Sequence, residues 1–131
     1  MKFLGVDYGT KRTGLSISDE NGKVAVLKET IEADRQDQVV ERISEIVGQD
    51  SVETVVVGMP LNMDGERTEM TEEVDRFIEK LRNHITVPVQ TTDERLTTEM
   101  ATKLLRGVKK EQRDQVAAQI LLQNFLDERA D

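Results

Sequence analysis

Apolar and polar positions alternate in the first part of the chain and then change period. Phe3, Leu4 and Val6 form a short apolar run that stops at Asp7. "TGLSIS", residues 13–18, repeats every two residues, as a half-buried strand does. Asn21-Gly22, a hairpin signal, separates it from a third strand over residues 23–31. Beyond Asp34 the period becomes helical, with Val39, Val40, Ile43, Ile46 and Val47 on one face and a stop expected near Gly48. "ETVVVG", 53–58, is continuously apolar, the pattern of a central strand covered on both faces. Gly58, Pro60 and Gly65 punctuate the next loop, and a second helix carries Met70, Val74, Phe77, Ile78 and Leu81. "TVPVQTTD", 86–93, is the last strand, and Pro88, lacking an N–H, places it at a sheet edge or stands near its start. Thr97 or Thr98 caps a third helix that ends at Gly107. A final helix runs from about residue 111 to about residue 127.

The order β-β-β-α-β-α-β-α-α predicts an α/β fold. A three-strand antiparallel meander followed by β-α alternation gives a mixed five-stranded sheet with helices packed on it. This is the element order of a ribonuclease-H-like fold. Residues 1–131 read as one domain without repeat, linker or low-complexity segment, long enough to bury a core without staples. The chain has no cysteine, which excludes disulfides, thiol catalysis and thiolate-bound metals. No apolar run approaches the roughly 20 residues of a membrane span, and the N-terminus lacks a signal-peptide pattern. The expectation is a cytoplasmic protein without a membrane partner.

A net charge of −8 argues against broad, nonspecific binding to nucleic acid. The distribution changes that picture. "KLLRGVKKEQR", 103–113, holds Lys103, Arg106, Lys109, Lys110 and Arg113 against Glu111 alone, whereas residues 66–79 are mostly acidic. Local sign matters more than the sum when the partner is a phosphate backbone.

Candidate chemistry lies at element ends. Asp7 closes the first strand, either as a turn residue bonding the backbone of "YGTK" or as a ligand on a rigid strand. Asp93 and Glu94 close the last strand. Asp93 fits best as an acid complementing the dipole of the next helix, while periodicity leaves Glu94 open. Asp114 lies at helical spacing from Ala117, Ala118, Leu121 and Phe125, on or beside a buried stripe. A carboxylate there needs a cation, an ion-pair partner such as Arg113, or the helix dipole. Small Ala117 and Ala118 would let this helix end approach the sheet closely.

If the first strand is central, Asp7, Glu94 and Asp114 meet at one end of the sheet. Carboxylates so placed repel one another unless divalent cations intervene, and all-oxygen ligands favour Mg²⁺ or Mn²⁺. Such a site suits phosphodiester hydrolysis. Lys11, Arg12, Lys109 and Lys110 are then candidates to hold phosphate, although any one of them also fits a solvated surface. His84, the sole histidine, reads as a surface residue.

"LGVDYGTKRTGLSISD", "VVVGMPLNMDG", "TTDERLTTEMA" and "KKEQRDQVAAQILLQNFLD" resemble, in order and spacing, the four signature blocks of the YqgF family. The resemblance implies a ribonuclease-H-like fold related to the RuvC Holliday junction resolvases. Members of that family are described as junction resolvases or as nucleases maturing the 5′ end of pre-16S rRNA. It carries the acidic roles, catalytic and metal-binding, to Asp7, Glu94 and Asp114. In the resolvases the second acid follows the fourth strand, where this chain has "GMPLNMDG". In that loop Asn62 is a candidate contact to phosphate or base, and Arg95 either meets phosphate or pairs with Asp93 or Glu99. Partners would be precursor rRNA, within ribosomal precursor particles or free, or branched DNA, for a monomer or a homodimer.

Two other classes fit parts of the sequence. "GVDYGTKRTG" also resembles the first phosphate motif of the actin, Hsp70 and sugar kinase superfamily, whose two-domain architecture needs more chain than 131 residues. The negative charge and scarcity of aromatic residues also suit a binding module with weak or partner-dependent catalysis.

Overall fold

The computed structural model describes residues 1–62, 64–93 and 107–129. Its strands are β1 (Phe3–Asp7), β2 (Arg12–Ser18), β3 (Ala25–Glu32), β4 (Thr54–Met59) and β5 (Val89–Asp93). The described helices are α1 (Gln36–Gln49), α2 (Glu69–His84) and α3 (Arg113–Arg129), the last preceded by a 3₁₀ turn, Lys110–Gln112. The five strands form one sheet in the order β3-β2-β1-β4-β5. The β1–β2 and β2–β3 pairs are antiparallel, and β1–β4 and β4–β5 are parallel. The mixed α/β sheet predicted from the apolar pattern is therefore present, with β1 at its centre. β5 is an edge strand with Pro88 just before it, where a missing N–H costs no ladder bond. The helix expected between residues 97 and 107 lies outside the described residues.

Strand alternation divides the core in two. Leu4, Val6, Leu15, Val55 and Val57 face α1 and α2 and pack with Ile43, Val74, Phe77 and Leu81. Phe3 and Val56 face the other way and pack with Leu121, Leu122 and Leu126 of α3. Both faces of β1 are thus covered, which is why its sequence is almost continuously apolar.

The α3 layer is unusually close to the sheet because the strand residues beneath it are small. Gly5, Gly14, Ser16 and Ser18 share that face. A Cβ on Gly14 would overlap the backbone carbonyl of Asp114, and one on Gly5 would lie 2.8 Å from Leu122 Cβ. Ser16 Oγ donates to the Ala118 carbonyl at 2.8 Å, joining residues far apart in sequence. The close approach expected from Ala117 and Ala118 is present, but the glycines of β1 and β2 create most of it. Along α3 the buried residues are Ala118, Ile120, Leu121, Leu122 and Leu126. Phe125 is only partly buried and tilts against Phe3 with ring centroids 5.8 Å apart.

Three connections gain detail in the structure. Asn21-Gly22 lies between the antiparallel β2 and β3, as expected, with Gly22 in the left-handed conformation at φ +66°. It sits in a longer loop over 19–24, where the Asp19 carboxylate accepts the Lys23 and Val24 amides at 2.7 and 3.0 Å. Those bonds hold the Asp19 carboxyl below its usual range. Helix α1 continues through Gly48 and stops after Gln49, with Ser51 taking the left-handed conformation at φ +56°. The final helix begins at Arg113 because residues 110–112 wind more tightly, as a 3₁₀ turn.

Helix α2 is fixed at its start by a reciprocal cap. Thr68 Oγ1 accepts the Thr71 amide, and Thr71 Oγ1 accepts the Thr68 amide at 3.0 Å. Buried Thr71 also donates to the Pro60 carbonyl at 2.8 Å, tying the loop after β4 to the helix. On the same face of the sheet, Arg42 of α1 grips Glu29 of β3 through two contacts of 2.8 and 2.9 Å. The Arg42 guanidinium holds the Glu29 carboxyl below its ordinary value of 4.5.

Gly14→Ala should lower stability by about 2–3 kcal/mol through backbone overlap. Gly48→Ala, where nothing lies within 4 Å of the added methyl, should raise it by about 0.5–1 kcal/mol. Urea denaturation of both variants checks the contrast. Glu29→Gln should cost about 0.5–1 kcal/mol at neutral pH, a partly exposed pair being worth no more. Because the native carboxyl is depressed, that difference is fully present above pH 4.5 and shrinks as pH falls through the native value. Urea midpoints of both proteins at pH 7 and pH 3 measure it.

Candidate functional site

The parallel strands β1, β4 and β5 all run toward the same edge of the sheet, where they end at Asp7, Met59 and Asp93. Asp7 is in phase with Phe3 and Gly5, so its side chain belongs to the α3 face, and it is half-buried. Its ladder partner across to β2 is Gly14, and Gly14 lies directly beneath the backbone of Asp114. One glycine is therefore flanked by Asp7 on the neighbouring strand and by Asp114 above. That contact brings together two of the three acids expected at the site. Asp93 is in phase with Val89 and pairs with Met59, which places it on the α1–α2 face, away from Asp7. The third expected acid, Glu94, and Arg95 lie outside the described residues.

Asp114 is paired, but with Arg12 rather than the neighbouring Arg113. Arg12 Nε approaches Asp114 Oδ2 to 3.2 Å, with the side chains 49% and 29% exposed. Alternation explains the choice. Arg12, Gly14 and Ser16 share one face of β2, so the residue before the close contact reaches the start of α3. A polar cleft of about 130 Å³ adjoins the pair, lined by Arg12, Thr30, Glu32, Lys110, Glu111 and Asp114. Glu32 stands opposite Arg12 in the β2–β3 register. Thr30 Oγ1, opposite Gly14, is buried without a hydrogen-bond partner.

The other candidates divide. Lys110 joins the cleft beside Asp114, and Lys109 is exposed at the start of the 3₁₀ turn. Lys11 lines a neighbouring open groove with Arg12, Glu32 and Gln38. Asn62 lies in the loop after β4, and its side chain organises that loop, Oδ1 accepting the Asp64 and Glu66 amides at 3.0 and 2.9 Å. His84 is exposed at the end of α2, as expected.

Sequence reasoning missed two supports. Tyr8, directly after Asp7, is buried and stacks on Phe77 with centroids 4.5 Å apart. Burial pushes its phenol up, partly offset by a hydrogen bond with Gln36, whose own amide donates to the Glu73 carbonyl at 3.0 Å. The strand end that carries Asp7 is thus clamped between α1 and α2. The Arg12–Asp114 pair was also missed, although the small-residue face of β2 was a signal that a helix backbone lies on it.

Oxygen ligands from a strand and a helix suit a hard divalent ion in type. Among the described residues, no group of three histidine, aspartate or glutamate side chains is close enough to hold a metal. No described helix is long and apolar enough to cross a membrane.

This sheet order, with a helix laid over the central strand and acids at its end, defines a ribonuclease-H-like fold of the RuvC type. Thermus thermophilus RuvC, alone and in complex with a Holliday junction substrate, superposes with a TM-score of 0.66. The identity is only 17% and 18%, over 99% of this chain and 96% of that one. The chain belongs to the RuvX family, described as "Holliday junction resolvase", whose model matches residues 1–128. A relative from Desulforamulus reducens is 39% identical over 97% of each chain. Another, from Chloroflexus aggregans, is 42% identical over 97% of this chain and 94% of its own. Both are named "Putative pre-16S rRNA nuclease".

Asn62→Ala should release two loop amides while leaving the core intact. Hydrogen exchange at the Glu66 amide should quicken about tenfold, the loss expected for one hydrogen bond. Exchange in β1 should not change.

Proposed function

We propose that this protein is a divalent-metal-dependent nuclease that hydrolyses phosphodiester bonds, with precursor 16S rRNA as the favoured substrate. The observation that carries the reading is the convergence of Asp7 and Asp114 on Gly14, at the end of the central strand of a RuvX chain. The names of the relatives at about 40% identity support the rRNA substrate.

In this reading Asp7, Glu94 and Asp114 hold Mg²⁺ or Mn²⁺. The bound ion supplies a lowered pKa for attacking water and charge stabilisation for the leaving oxygen. The chain's own residues do the rest. Asp7 sits on a strand clamped by Tyr8 and cannot drift, so its carboxylate is held where the reaction needs it. Lys11, Arg12, Lys109 and Lys110, with Arg95, draw the phosphate backbone to an otherwise acidic protein. Water adds to phosphorus, one P–O ester bond breaks, and the departing oxygen leaves with a proton from solvent.

Junction resolution is the second reading, favoured by the fold shared with RuvC in its junction complex. Labelled precursor 16S 5′-leader RNA and a four-way DNA junction, each incubated with Mg²⁺ or Mn²⁺, separate the two. The expected result is RNA cleavage that falls about 100-fold or more in both Asp7→Asn and Asp114→Asn, since each loses a ligand. Cleavage of the junction alone would select resolution. Cleavage undiminished in both variants would remove the carboxylates from the mechanism. Activity that requires ribosomal precursor particles would identify a partner-dependent enzyme.

A further inference from the structure

We propose that Arg12 is an exchangeable cation for Asp114: it holds the carboxylate until a divalent ion replaces it, and the exchange frees the guanidinium for substrate phosphate. This rests on the reading of Asp114 as a metal ligand. Asp114 sits beside the apolar stripe of α3, where a partly buried carboxylate needs a positive neighbour. Arg12 meets that need from β2. A divalent ion on the same carboxylate would meet it too, and would repel the guanidinium at such short range. The two cations therefore compete for one group.

The pair is built loosely enough to exchange. Arg42 holds Glu29 through two contacts of 2.8 and 2.9 Å, whereas the Arg12–Asp114 approach is 3.2 Å and Arg12 is half exposed. The released side chain has somewhere to go. The adjoining cleft of about 130 Å³ offers Glu32, directly opposite on β3, and opens toward Lys110, so a guanidinium turned into it joins a second cation. In that position Arg12 and Lys110 would present their donors to one phosphate group. Metal loading would thus switch on phosphate binding, and bound phosphate would hold Arg12 away from Asp114 and tighten the metal.

Mn²⁺ binding to the full chain, measured by titration calorimetry, tests the exchange without any cleavage. Arg12→Gln should bind Mn²⁺ about three- to tenfold more tightly than wild type, the scale of a partly exposed ion pair plus the repulsion removed. Asp114→Asn should bind it at least about tenfold more weakly, having lost a ligand. Mg²⁺ added to unaltered protein should also shift the Arg12 Nε–H resonance to the position it already has in Asp114→Asn, a readout that needs no Arg12 variant. Equal Mn²⁺ affinity in Arg12→Gln and wild type, with Asp114→Asn weakened, would overturn the exchange and leave the metal site standing. Weaker binding in Arg12→Gln would also overturn it, making Arg12 a positioning residue. Undiminished binding in Asp114→Asn would remove Asp114 as a ligand, and the exchange with it.

Discussion

A helix backbone rests almost directly on a strand backbone at Gly14, and the spacing of the whole α3 layer follows from that contact. Side chains normally keep a helix and a sheet about 10 Å apart, yet here Gly5, Gly14 and Ser16 leave too little bulk to do so. The Ser16 hydroxyl uses the proximity to bond the Ala118 carbonyl, which fixes the register of helix on sheet. Once that register is set, the start of α3 must lie over the end of β1. Asp114 then comes to lie over Gly14, the ladder partner of Asp7, as a matter of packing.

The same contact explains which parts of the structure were legible in the sequence. The described strands and helices were legible from apolar periodicity, because each buries one face or both, and β4 showed its central place by its continuous apolar run. Pro88 left β5 either at a sheet edge or with the proline at its start, and both hold. What periodicity could not supply was the pairing of distant side chains. Arg113, adjacent in sequence, was a natural partner for Asp114, but helical geometry turns adjacent residues apart, and Arg12 reaches the carboxylate across the sheet face. Gly48 and the Asn-Gly pair marked the right connections, but Ser51 and the Asp19 carboxylate, which shape those connections, are visible only in three dimensions.

Charge is arranged with the same economy. The chain is acidic overall, but Arg12 and Lys110 line the cleft beside Asp114, Lys11 lines the neighbouring groove, and Lys109 is exposed at the start of the 3₁₀ turn. A long polyanion would be repelled by most of the surface and attracted at one margin.

Residues 14 and 114 also stand far apart in the order in which a ribosome makes the chain. During synthesis, at roughly 5–20 residues per second, the meander carrying Asp7 emerges many seconds before the helix carrying Asp114. Until that helix leaves the exit tunnel and settles on the glycine face, the strand end lacks its roof and its opposing acid. A nascent or prematurely ended chain therefore has half of the carboxylate pair and none of its geometry. Assembly is thus ordered in time: the two carboxylates meet only after both the meander and the helix that covers it have been made.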